Sequence, residues 1–142
     1  MTLDAFTVKV LDAVALTTAD VYGFIIPTMS AKEIMVEVEN VGTGTPIGTW
    51  SFQFSNDPQA MAEFWTEQRT GTRIGASSTA VWVAIDAPAT VHGDSLTLAA
   101  AASQKSAVSF VLGLGGCFRV WYDYTSGGSA ASLGTARVCV KE

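Results

Sequence analysis

The chain holds one histidine, His92, in Val91-His92-Gly93-Asp94, and any histidine-dependent acid–base or nucleophilic scheme would have to run through it. A polar residue ahead of a Gly-Asp pair reads as a turn instead. No G-x-S-x-G elbow surrounds a serine, and Ser129 follows Gly127-Gly128 in a loop with no base beside it in sequence. Glu37 and Glu39 alternate on one strand and fall roughly 7 Å apart by the two-residue rise. That spacing nominally suits a pair of glycosidase carboxylates. The simpler reading is a solvated strand face that also discourages edge pairing. Asp57, Asp86, Asp94 and Asp123 lie near predicted turns or strands without a D-x-D-x-D-G calcium pattern. Gly42-x-Gly44 and Gly113-x-Gly115-Gly116 lack the Gly-Lys-Ser/Thr of a phosphate loop and are expected to be turns or bulges. Catalytic residues, metal ligands and cofactors are therefore not expected.

Charge narrows the partners. Eight Lys and Arg oppose thirteen Asp and Glu for a net charge of −5, and no basic stripe is present to neutralise a run of phosphates. Nucleic acid is excluded as a partner on that ground. Residues 1–68 carry nine acids against Lys9 and Lys32, whereas residues 69–142 carry six basic residues against four acids. Such polarity weakly favours ordered assembly. The opening MTLDAFTVKV has Asp4 where a leader would be basic, so no secretory signal is read there. Residues 107–120 form the most apolar run but are interrupted by Gly113, Gly115, Gly116 and Arg119, short of the roughly 20 residues that span a bilayer. No membrane association is expected. Cys117 and Cys139 are the only cysteines, expected as free thiols in a protein made in a reducing cytoplasm, with a cross-strand bridge as the alternative.

Ala, Gly, Ser and Thr make 61 of the 142 residues, while fifteen Val and fourteen aromatics supply the bulk of a core, so small side chains and β-formers dominate. Ile34-Met35-Val36-Glu37-Val38-Glu39 and Thr49-Trp50-Ser51-Phe52-Gln53-Phe54-Ser55 alternate in hydropathy with period two and predict half-buried strands. The turn formers 41–46 are expected to join them as neighbours. Residues 118–124 and 134–140 repeat the pattern across Ser126-Gly127-Gly128-Ser129 and read as a closing hairpin. Weaker strands are predicted at 6–11, 21–26, 80–85, 95–100 and 107–112. Asp57 as cap and Pro58 in the first helical position predict a turn or two of helix over 58–65, and 68–79 reads as loop. About nine strands in one domain of 142 residues predict an all-β, antiparallel two-sheet sandwich, with jelly roll the first topology and an immunoglobulin-like Greek key the second. Residues 1–6 are a candidate N-terminal arm.

Trp50, Phe52 and Phe54 share a strand phase that points to the core, as do Phe118, Val120 and Tyr122. Trp121 travels with Arg119 and Asp123 on the opposite face and is the expected exposed ring. The block from Gly48 to Asp57 followed by Trp65, together with Phe118–Gly128, resembles capsid decoration (cement) proteins among the small β-sandwich proteins of tailed bacteriophages. The resemblance covers two strand-turn blocks and brings no catalytic residues. In it Asn56-Asp57 turns the chain and Trp65 returns to cap the same core. It implies a homo-oligomeric protein on the outer capsid surface of the virion, bound to the major capsid protein and bridging capsomers. Loops and termini are where such contacts are expected, and the candidate partner interface is Thr2, Leu3, Phe6, Arg69, Arg73, Arg119 and Trp121. The competing reading is a carbohydrate- or receptor-binding sandwich of a tail fibre or cell-surface protein, which would need an aromatic platform beside polar side chains.

Overall fold

The computed structural model describes residues 5–16, 19–28, 31–42, 46–84, 95–99, 104–111, 116–128 and 131–141. In chain order the strands are β1 (Ala5–Ala15), β2 (Val21–Tyr22), β3 (Ile26–Pro27), β4 (Glu33–Gly42), β5 (Ile47–Ser55), β6 (Val83–Ala84), β7 (Ser95–Ala99), β8 (Gln104–Val111), β9 (Cys117–Ser126) and β10 (Ser132–Lys141). One helix, α1 (Pro58–Thr70), and a single 3-10 turn (Gly75–Ser77) lie between β5 and β6. Every strand pairing among the described residues is antiparallel.

The first sheet runs β1-β10-β4-β8. The second is built on β9 and β5, with β2 and β3 on the outer edge of β9 and β6 and β7 on the outer edge of β5. Counting β2 with β3 and β6 with β7 as one position each, the orders become 1-8-3-6 and 2-7-4-5, the double Greek key of a jelly roll. That selects the first expected topology over the immunoglobulin-like one.

Alternation explains the two layers. Ile34, Val36 and Val38 of β4 pair with Val140, Val138 and Ala136 of β10, and all six are buried. On the inner face of the second sheet, between the neighbouring strands β5 and β9, Trp50 and Tyr122 meet at 4.9 Å between ring centroids and 59° between planes, and Phe52 stacks on Phe118 at 6.3 Å. Trp50, Phe52, Phe54, Val120 and Tyr122 are buried as their phase predicts. Gly48 makes the Tyr122 packing possible: a Cβ there would lie 2.6 Å from both the Tyr122 ring and the Asp123 carbonyl.

Several expectations are corrected. β9 and β10 do not form a hairpin: β9 pairs with β5, and β10 lies between β1 and β4 in the other sheet. The segments 34–39 and 49–55 likewise belong to opposite sheets, because a jelly roll sends successive strands across the core. Cys117 and Cys139 consequently sit in different sheets, and both are free thiols. Burial raises the Cys117 pKa to about 11. Glu37 and Glu39 do not guard an edge, since β4 is central; Arg137 Nη1 donates to Glu37 Oε1 at 3.0 Å and Glu39 Oε2 at 3.5 Å. The helix exceeds two turns and runs to Thr70. Phe6 begins no free arm but pairs with Val140 in β1.

Candidate functional site

Helix α1 and the segment after it cover the outer face of the second sheet. Asp57 caps the helix, its Oδ1 accepting the Gln59 N–H at 2.9 Å, and Pro58 fills the first position, where a missing N–H costs nothing. Gly71 ends it in the left-handed region (φ 68°), its N–H donating to the Glu67 carbonyl at 2.8 Å. The inward stripe of the helix is Ala60, Glu63 and Glu67, at helical spacing. Two of its three members are carboxylates, which apolar periodicity does not register.

Those carboxylates are used to hold backbone. Glu67 is 1% exposed and accepts the N–H groups of Ile25 at 2.7 Å and Ile74 at 2.9 Å. Glu63 accepts the Ser78 hydroxyl and the Thr79 N–H, the latter at 2.9 Å. Asp57 Oδ2 accepts the Val81 N–H at 3.0 Å. Residues 74–81 are thereby fastened to the helix at three levels. The shifts follow from these surroundings: burial raises the Glu67 pKa against the pull of its two N–H donors, whereas the Gln59 and Val81 N–H groups lower that of Asp57.

The guanidinium of Arg119, on β9, is the centre of the layer. Its carbon lies 4.3 Å from the ring centroids of both Tyr22 and Trp82. Nε donates to Gln53 Oε1 at 2.7 Å and Nη1 to the Gly75 carbonyl at 3.0 Å. Tyr22 also stacks on Trp121 at 5.6 Å with planes 1° apart. Desolvation lowers the Arg119 pKa, and the charges of Glu63 and Glu67 oppose that change. Arg73 closes the other side, Nη1 donating to the Tyr22 carbonyl at 3.1 Å.

The structure therefore brings Arg73, Arg119 and Trp121 together around Tyr22, but not as an open surface. Arg119 is 5% exposed and Trp121 half-buried, with its Nε1 buried and without a hydrogen-bond partner among the described residues. The phase of Trp121 is as expected; its exposure is not, because the helix and following loop cover this face. Arg69 is exposed and donates to Thr66 Oγ1 at 3.3 Å. Trp65 does not cap the core: it is 56% exposed on the outer side of α1, while Phe64, Met61 and Trp82 pack against Ile25, Ala60 and Cys117. Val81 and Val83 are also exposed. Thr2, Leu3 and His92 lie outside the described residues.

A cleft of about 500 Å³ lies among β1, β3 and α1, its apolar walls including Phe6, Val8, Phe24, Ile26 and Phe64. Phe6 is 45% exposed there. Among the described residues no group of three or more His, Cys, Asp or Glu side chains is placed to hold a metal ion. No described helix is long and apolar enough to cross a membrane.

The fold and this layer define a jelly-roll β-sandwich with a clamped helix–loop cover. No known family matches the sequence, and no curated protein matches it closely. Among solved structures, the SPBc2 prophage-derived protein YomS is similar over 100% of this chain and 97% of its own, with TM-score 0.57 and 12% identity. A chain of infectious bursal disease virus Gx strain aligns over 96% of this chain and 32% of its own, with TM-score 0.44 and 13% identity. A carbohydrate-binding module from glycoside hydrolase family 9 (Cel9A) of Ruminococcus flavefaciens FD-1 aligns over 98% of both, with TM-score 0.40 and 12% identity. At 12% identity the likeness to YomS is one of fold alone.

Proposed function

We propose that this protein is a structural component of a tailed-phage virion that binds the outside of the assembled capsid and stabilises it by bridging capsomers. The observation that carries the reading is the cover of the second sheet. Its interior carboxylates are committed to holding backbone, while Trp65 and Val81 are exposed on it and Val83 is exposed beside it on the edge strand β6. Exposed apolar side chains on a stiff scaffold suit contact with another protein, since little ordering entropy opposes binding. The resemblance of the blocks 48–57 and 118–128 to decoration proteins points the same way, as does a full-length fold likeness to a prophage-derived protein. Trp65 and the valines replace Arg119 and Trp121 as the proposed lattice contacts.

Because a lattice repeats one site many times and binding favours only the assembled state, modest contacts per copy raise the shell's resistance to rupture. Mixing purified protein with undecorated shells, sedimenting them and heating the product tests this. Cosedimentation with a higher rupture temperature is expected, and Trp65→Ala should weaken attachment of a protein that stays folded. Absence of cosedimentation, or equal rupture temperatures for decorated and bare shells, overturns the proposal; binding on a glycan array would then favour the carbohydrate reading.

A further inference from the structure

We infer that the free edge of β1 over residues 5–9 is the contact surface for a second copy of this chain, the two β1 strands pairing antiparallel about a two-fold axis at Thr7. β1 is the outermost strand of its sheet, and among the described residues no strand pairs with its other side. From Val10 onward that side is not free for regular pairing. The Val10 carbonyl accepts the Phe24 N–H at 3.0 Å, and the register shifts between Lys9 and Leu11 and between Leu11 and Val14. Bulges of this kind keep edge strands from pairing. Among the described residues, the stretch Ala5–Lys9 has neither a bulge nor a backbone bond on that side, and it keeps a continuous register with Lys141–Arg137. It is a regular edge beside the apolar cleft that Phe6 and Val8 line.

The cleft supplies the second requirement, a place for the side chains of an added strand. Phe6 and Val8, whose β10 partners Val140 and Val138 are buried, lie on the inner face of the sheet and line the cleft with Phe24, Ile26 and Phe64. A strand added beside β1 directs alternate side chains into that space. The Ala-Phe-Thr-Val-Lys segment fits itself there. Pairing centred on Thr7 sets each Phe6 opposite the other copy's Val8 on the inner face, an aromatic against a β-branched side chain, and this occurs twice by symmetry. Thr7 meets its counterpart on the outer face, and Lys9 stands opposite Ala5, so like charges are not directly opposed. The four-stranded sheets then join into one of eight. This association does not depend on attachment to a capsid.

Light scattering on the full chain tests the inference, with twice the chain mass expected. Phe6→Asp, at a position already 45% exposed, should give a monomer with an unchanged circular dichroism spectrum. Thr7→Cys in a Cys139→Ser background places two thiols across the axis, within the Cα separation that a disulfide accepts. Cys139 is replaced because it is the intrachain partner of Thr7. Oxidation should then give a covalent dimer on a non-reducing gel, whereas Asp12→Cys in the same background should not. A monomeric wild type, or a dimer that survives Phe6→Asp without the Thr7 cross-link, overturns the inference.

Discussion

Arg119 is where the second sheet, β2 and the helix–loop cover converge, and its value to the fold lies in geometry as much as charge. A planar guanidinium can stack on Tyr22 and Trp82 while its edges donate to Gln53 and the Gly75 carbonyl. Arg119→Ala should cost about 3 kcal/mol from lost hydrogen bonds and ring contacts, measured by urea unfolding. Arg119→Lys should recover less than half of that, because an ammonium cannot fill both roles. Glu67 provides the pH dependence. Its folded pKa is raised by burial, so its contribution is fully present below the ordinary glutamate range and is lost as pH rises through the raised value. Unfolding free energy measured against pH should therefore fall across that window in the wild type and lose that component in Glu67→Gln. An identical slope in the variant would count against the assignment. Neither residue announces its role in the sequence: Arg119 shares a strand phase with Trp121 and Asp123, which reads as a wet face, and only the cover makes that face an interior.

Strand existence follows from alternation, whereas helix length does not follow from apolar periodicity. The strands over 34–39 and 49–55 have one side of large apolar residues and appear where that pattern places them. In α1 the inward positions include Glu63 and Glu67 while Trp65 points outward, so the apolar pattern runs against the actual burial. What fixes the helix is its ends and its backbone-holding carboxylates. Gly71→Ala should cost about 1 kcal/mol, because the left-handed C-terminal residue would acquire a Cβ, with the sheets left intact. Trp50→Ala, on the buried face of β5, should cost about 3–5 kcal/mol by leaving a cavity against Tyr122. Denaturant midpoints of the two variants separate the cover from the core. A Trp50→Ala midpoint no lower than that of Gly71→Ala would contradict the packing described.

At the scale of the whole molecule, the jelly roll joins the two ends of the described chain: Ala5 pairs with Lys141, and β10 is inserted between β1 and β4 along its entire length. A reading based on neighbouring segments predicts a hairpin where β9 is followed by a Gly-rich loop and another alternating strand. Period-two patterning specifies which face of each strand is buried but not which strand lies beside it, and here the partners are far apart in sequence. The consequence is testable by truncation. Removing residues 132–142 would strip β4 and β1 of their shared neighbour and open the faces of Ile34, Val36 and Val38 to water, so no independent N-terminal sheet should survive. Removing residues 1–4 deletes nothing from the register that begins at Ala5. The first truncation should abolish cooperative thermal unfolding and the β-sheet circular dichroism signal, while the second should leave both intact. A cooperatively unfolding protein without β10 would mean that the second sheet and its helix–loop cover form a self-sufficient unit, contrary to a core shared between two sheets.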